Sequence, residues 1–402
     1  MKENTSGITI ITLIVIIVIL LILAGVSIAM LTGDNGILKQ ARAAKENTAR
    51  AKEQEEKDLD KTRSYINEKT IKDNYTDING DKATIPEGFK VDETENIISK
   101  GLVVHGPDKA NGDNGSEFVW VPVKDINSMS QCSTAGGDCN LQLESGTLKC
   151  KTHNDSEDIV GKLYAGLLEE NFGKVNTKYD SNLREPAILT GNKENDYDND
   201  FAYNTIKFTL ETLKQDYKNM ATSVAIYKGF YIGRYETSLS NATETSAGTS
   251  ETSQSKQGVI PTTANNKSTW QWYGLYKVQN KTYTGKNKSV ESNMIWGSQY
   301  DAMLNWVKTS DDKEKITDKT LGNISSGKIA TTGNSLYAKD NINNIRDLEG
   351  NLREFTLEAS ESQSRVNRGG YYNLGNTCAY RFNNSPKDSA INNGSRLALY
   401  IK

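Results

Sequence analysis

The chain has 402 residues, 36% of them hydrophobic and 25% charged, with a formal net charge of −3 and a pI near 5.7. That length admits two ordinary domains, or one domain with appendages. Near-balanced charge leaves no basic footprint on one face, which argues against nucleic acid as a partner.

Residues 1–7, Met-Lys-Glu-Asn-Thr-Ser-Gly, form a short leader, and the run from Ile8 to Leu31 then carries no charge at all. A helix needs about 20 apolar residues to span a bilayer, so 8–31 is predicted to be a single transmembrane helix. A buried core helix would be shorter and less uniform. A cleavable secretory signal would have a shorter apolar region and a small-x-small site, for which Gly25 to Ala29 is a weak candidate. After the turn signal Gly33-Asp34-Asn35-Gly36, residues 37–71 contain no Pro or Gly and are dominated by Ala, Glu, Lys and Gln. Helix is the expectation there. Its thin apolar stripe marks 32–71 as a solvated stalk, or a shaft packing on similar subunits. The polar stretch 72–85, with Asn79-Gly80, breaks the helix and is expected to be a linker.

Residues 86–402 are expected to form the head. Glu117-Phe-Val-Trp-Val-Pro-Val123 and Tyr227-Lys-Gly-Phe-Tyr-Ile-Gly-Arg-Tyr-Glu236 read as short apolar strands. Trp296 to Trp306, with Met303, Leu304 and Val307, reads as a helix. Trp120, Trp270, Trp272, Trp296 and Trp306 supply core volume, while Leu239 to Gly258, rich in Ser, Thr and Gly, is expected to be a solvated insertion. Cys132, Cys139 and Cys150 cluster without C-x-x-C spacing, and His153 is the one imidazole near them, so a zinc site is not indicated. A local disulfide such as Cys132 to Cys139 and free thiols both fit that spacing.

The closing segment differs in composition. Arg365-Val-Asn-Arg-Gly-Gly-Tyr-Tyr, Arg381-Phe-Asn-Asn-Ser-Pro386 and Gly394-Ser-Arg frame a stretch crowded with Asn, Tyr, Gly and Ser. In paratopes Tyr supplies rigid amphipathic area, and Ser, Gly and Asn supply adaptable hydrogen bonds. The same residues dominate turns, so a polar surface loop is the competing reading.

Two resemblances go further. The leader ending in Gly7, followed directly by Ile8, resembles the prepilin N-terminus of type IV pilin-like proteins. That implies cleavage between Gly7 and Ile8, a membrane anchor, a single pass with the head outside the cell, and other pilin subunits as partners. Thr12 departs from the pattern, because pilins usually carry a glutamate there that pairs with a neighbour's N-terminal amine. The head resembles formylglycine-generating, sulfatase-modifying enzymes, relatives of the C-type lectin fold. Phe118 to Pro122, Gly229 to Glu236, Gly350-Asn351-Leu-Arg-Glu354-Phe355, Arg365 to Gly370 and Gly394 to Arg396 carry that likeness in order.

The second resemblance implies an α+β head with a modest twisted sheet, few helices and much irregular loop. The family's enzymes bind copper through two cysteines five residues apart, as soft Cu(I) requires. Cys378 falls on the second position and Asn373 on the first, so the resemblance implies a domain without that oxidase chemistry. Some relatives carry calcium, which leaves calcium open as a ligand of the head.

The closing segment also resembles the variable proteins of diversity-generating retroelements, whose adenine randomisation excludes Lys, Glu, Gln, Met and Trp. Between Tyr371 and Ser395 only Lys387 belongs to that set, against about five at average composition. The implied function is binding of a protein or glycan on another surface. The contacts would be Tyr371, Tyr372, Asn373, Asn376, Tyr380, Phe382, Asn383, Asn384, Asp388, Ile391, Asn392 and Asn393. Arg368, Arg381 and Arg396 would be scaffold.

Overall fold

A computed structural model describes residues 13–23, 72–107, 115–129, 140–151, 159, 210–239, 253–263, 272–283, 287–361, 364–386 and 390–402, with four further positions, 45, 47, 48 and 50. Gly7, Ile8, Thr12, Cys132, Cys139, His153, Trp270 and Asp388 lie outside the described residues. The chain divides into two compact units, Met1–Thr70 and Ile71–Lys402.

In the first unit residues 13–23 are helical, and their apolar side chains are 43–67% exposed. At 1.5 Å per residue that stretch is about 16 Å long, roughly half a bilayer core. Among the described residues no helix is long and apolar enough to cross a membrane. The expected 8–31 span is thus described only in its middle. The expected stalk is described only at positions 45, 47, 48 and 50, all helical.

The second unit is α+β. It opens with the hairpin β1–β2 (Lys72–Thr76, Lys82–Pro86), followed by β3 (Lys90–Val91), β4 (Val103–His105) and β5 (Glu117–Pro122). The hairpin β6–β7 (Asn140–Glu144, Thr147–Lys151) comes next. Helix α1 (Leu210–Tyr227) runs into β8 (Gly229–Gly233), and the short strands β9 (Ser238–Leu239) and β10 (Ser253–Gln254) pair together. Helix α2 (Trp272–Tyr283), β11 (Val290–Met294), helix α3 (Gly297–Val307) and the ribbon β12–β13 (Asn341–Ile342, Ile345–Arg346) follow. The chain closes on β14 (Arg353–Glu361), β15 (Ser364–Arg368), β16 (Arg381–Asn384), β17 (Asn393–Ser395) and β18 (Leu397–Ile401).

Six strands form an antiparallel sheet in the order β11-β18-β8-β5-β4-β3. Strand alternation sends successive side chains to opposite faces, and here both faces are buried. Val119 and Val121 of β5, Phe230 and Ile232 of β8, and Ala398 and Tyr400 of β18 pack with all three helices on one face. Phe118 and Trp120, Tyr231, and Leu397, Leu399 and Ile401 build the second core on the other. That explains why these strands read as continuous apolar runs. The expected strands at 117–123 and 227–236 and the expected helix at 296–306 are found as β5, β8 and α3.

Two expectations are corrected. Residues 72–85 are not a linker: they form β1–β2, whose Ala83 and Ile85 close the second core beside Phe89 and Tyr231. Asp77 holds the hairpin's turn, its Oδ1 accepting from Asn79 N (2.9 Å) and Asp81 N (3.0 Å) and its Oδ2 from Ile98 N (2.9 Å). The end of the 239–258 insertion is not solvated either, since Ser253 and Ser255 are buried. Ser255 N donates to Ser116 Oγ at 3.2 Å, and Ser255 Oγ accepts from Tyr235 N at 3.0 Å.

Candidate functional site

The closing segment folds onto a second, four-stranded sheet in the order β16-β15-β14-β17, antiparallel except for the β14–β17 pair. Strand alternation divides its residues into two populations.

On the inner side are arginines. Arg368, 1% exposed, donates from Nη2 to Asp301 Oδ1 (2.7 Å) and Glu358 Oε2 (3.3 Å) and lies over the Tyr300 ring at 4.9 Å. Arg381 pairs with the other oxygen of Glu358. Arg396, fully buried, donates from Nε to Glu354 (2.8 and 3.0 Å), from Nη1 to Gly233 O (2.9 Å) and from Nη2 to Arg346 O (2.7 Å). Arg365 is not of this set, because register puts it on the side of Asn367 and Asn384; it is buried there, donates to Leu357 O (3.2 Å) and lies over the Trp272 ring at 4.3 Å. Buried charges survive when paired and hydrogen-bonded, and Arg368, Arg381 and Arg396 are paired with carboxylates.

The sequence motifs are tied to each other by the same logic. Glu236, at the end of the β8 motif, accepts from Leu352 N (2.8 Å) and from the Asn351 side chain, while Glu354 meets Arg396. Three motifs far apart in sequence thereby converge on one polar knot. Burial pushes its carboxyls up. Asp340 rises to about 6, Asp347 to about 7 with further help from Asp340, and Glu349 to about 8. Gly369 follows from backbone geometry: its φ is +79°, and a Cβ there would sit 2.6 Å from Leu348 O.

On the other side, register places Arg353, Asn367, Phe382, Asn384 and Asn393 on one face. Asn367 Nδ2 bridges the strands, donating to Asn384 Oδ1 (2.8 Å) and Asn393 Oδ1 (3.0 Å). Residues 371–374 turn tightly, Tyr371 N donating to Leu374 O (3.0 Å) and Leu374 N to Tyr371 O (2.7 Å), which sets Asn373 and Leu374 outward. Phe382 is 37% exposed, Leu374 44% and Ile391 47%.

The expected contacts divide accordingly. Asn373, Phe382 and Ile391 are exposed, and Tyr371, Asn376, Tyr380, Asn383, Asn384 and Asn392 are half-buried. Tyr372 and Asn393 are corrections. Tyr372 is 5% exposed and packs with Ile329 and Leu352, while Asn393 is fully buried in the Asn367 bridge. Sequence reasoning overlooked Arg353 and Asn367. Arg353 had a signal, since the motif that the head was expected to resemble carries a tryptophan at that position.

The guanidinium of Arg353 lies over the rings of Phe382 (4.2 Å) and Tyr371 (4.6 Å), and Tyr371 meets Tyr372 edge-on at 5.5 Å. Arg353 Nε, Asn367 Oδ1 and Asn393 Nδ2 are buried here without a hydrogen-bond partner, as is Arg368 Nε on the arginine side.

Cys378 lies beneath the face, free and fully buried. Its carbonyl accepts from Tyr300 OH (2.9 Å), and desolvation holds its thiol far above the ordinary range. Cys150 of β7 is disulfide-bonded, so the cluster is not one of free thiols, and the pair Cys132 to Cys139 lies outside the described residues. Among the described residues no group of three or more His, Cys, Asp or Glu is placed to hold a metal ion. Two open clefts, of about 640 and 540 Å³, are lined by residues outside 371–395.

No protein-family model and no curated protein matches the sequence. Among solved structures the chain is similar to CarF, at 13% identity and a TM-score of 0.30, over 44% of this chain and 87% of that one. It is also similar to Treponema denticola variable protein 1, at 12% identity and a TM-score of 0.23, over 82% and 98%. Likenesses of this degree fix neither fold family nor activity.

Proposed function

We propose that the outer face of the four-stranded sheet, with the turn 371–374 and Ile391, is a ligand-contact surface on a C-type-lectin-like head. In this reading the uncharged run 8–31 anchors the chain in a membrane as a prepilin-like helix and presents the head outside the cell. The observation that supports it is the split between the two sides of the sheet. Arg368, Arg381 and Arg396, fixed by carboxylates, hold one side, while Phe382 is exposed on the other and Asn373, Leu374 and Ile391 are exposed in the adjoining turns. Side chains on that outer side can change without disturbing the ion pairs, as retroelement-driven variation would require. The partner is a protein on another surface, and the reading assigns no catalysis, because Cys378 is sealed and Asn373 stands at the first thiolate position.

The test is capture of neighbouring cells by the full chain. The triple substitution Asn373→Ala, Phe382→Ala, Ile391→Ala abolishes capture and leaves the melting temperature within a few degrees of the parent. Retained capture refutes the contact surface. A reverse transcriptase beside the gene, with a near-copy of the 3′ end differing at adenines, is the expected genetic signature, and its absence removes the variation claim alone.

A further inference from the structure

On the outer face Arg353 is a charged group with no counter-ion among the described residues. Arg353 is 6% exposed, yet no hydrogen bond or ion pair of its side chain occurs among the described residues. Its neighbours differ. Arg234 pairs with Glu95 and Glu117, Arg368 with Asp301 and Glu358, Arg381 with Glu358, and Arg396 with Glu354. Leaving a buried cation without an anion costs several kcal/mol even after relaxation.

Arg353 instead lies over the rings of Phe382 (4.2 Å) and Tyr371 (4.6 Å). Desolvation lowers its pKa, and the ionisable groups opposing that shift are the phenols of Tyr371 and Tyr380, not carboxylates. The N–H groups of a guanidinium lie in its plane, and two of them side by side take a carboxylate through two parallel hydrogen bonds.

We infer that Arg353, clamped by Tyr371 and Phe382, forms a carboxylate-binding subsite whose occupant is an Asp or Glu side chain of a protein partner. This rests on the contact-surface reading above and names the chemistry of its centre. A protein is favoured over an acidic glycan by the surroundings. Sugars stack on open aromatic faces, but here Tyr371 and Phe382 each spend a ring face on Arg353, and the exposed apolar neighbours, Leu374 and Ile391, are aliphatic. Interface centres of this make-up, Arg and aromatics ringed by apolar contact, dominate protein recognition.

The test uses the full-length chain in detergent with two acetylated, amidated pentapeptides identical but for a central Glu or Gln flanked by leucines, followed by saturation-transfer NMR. The Glu peptide binds about tenfold more tightly than the Gln peptide, as a charge-assisted bidentate pair implies. Arg353→Gln removes that preference, and Arg353→Lys, a point charge without the fork, keeps only part of it. Equal binding of the two peptides, binding of neither, a preference that survives Arg353→Gln, or displacement of the Glu peptide by equimolar sialyllactose each overturns the subsite. Arg353→Gln also melts no lower than the parent. A fall as large as that of Arg396→Ala would make Arg353 a structural ion-pair partner and overturn the inference. If Arg353→Gln captures cells normally while the triple surface variant does not, the subsite falls and the contact surface stands. If both capture normally, both fall.

Discussion

At the scale of single residues, the closing segment teaches that residue type is a poor guide to exposure. Tyr372 and Asn393 share the composition of their neighbours, yet one fills an apolar cluster and the other completes an asparagine bridge. Tyr372→Ala is expected to cost about 3 kcal/mol, as removal of a buried aromatic does, whereas Asn373→Ala next to it leaves stability unchanged; urea unfolding of both variants checks this. Arg396→Ala strands Glu354 in the interior and is expected to cost about 3–5 kcal/mol, read in the same way. Cys378 is expected to resist iodoacetamide in the folded protein at pH 8 and to react once urea unfolds it, because burial keeps its thiol protonated. Labelling in the native state would contradict the buried placement.

At the scale of elements, β1–β2 has the most to lose. Its Ala83 and Ile85 cover Phe89, Trp120 and Tyr231, and Tyr231 OH donates to Thr84 O at 2.9 Å. A chain lacking 72–86 is expected to expose that core and bind a hydrophobic dye, and Tyr231→Phe to lose about 1 kcal/mol. A dye-negative deletion variant would show the hairpin to be dispensable. The contrast with β5 and β8 shows what the sequence made legible. Those strands are buried on both faces, so their apolar runs announced them, and α3 announced itself by helical spacing. The hairpin has one wet face and an Asn79-Gly80 turn, and such alternation over five residues resembles a polar linker. For the candidate site, the Arg-Gly-Gly and Gly-Ser-Arg motifs marked the arginine scaffold, because an arginine beside glycines stands out in a segment otherwise poor in charge. Arg353 and Asn367 were not marked as site residues, since what matters about them is which partners they lack or bridge across strands.

At the scale of the whole molecule, the buried carboxyls make stability depend on pH. Asp340, Asp347 and Glu349 titrate at about 6, 7 and 8 in the folded state, above their ordinary values, because burial disfavours the charged form. The folded protein therefore binds more protons than the unfolded chain above about pH 4, and their contribution, complete below that, is lost as pH rises through 6 to 8. Asp92 acts in the opposite sense. The hydrogen bonds it accepts from His105 and from the backbone of Thr94 and Glu95 outweigh its desolvation and hold its pKa low, so its contribution is lost as pH falls below 4. Stability is expected to peak near pH 5 and decline towards pH 8, and Asp347→Asn, which retains an acceptor for Gly333 N, should flatten the decline. A melting temperature that rises from pH 5 to 8 would contradict it.

The position of β18 has a genetic consequence. This strand follows the contact segment directly, and it lies between β11 and β8 inside the six-stranded sheet. A frameshift or stop codon arising anywhere from Tyr371 to Ser395 therefore deletes a central strand along with Arg396, and the product cannot fold. Missense changes on the outer face leave both intact. Folding thus acts as a reading-frame filter on this part of the gene, passing substitutions on the outer face while discarding truncated products.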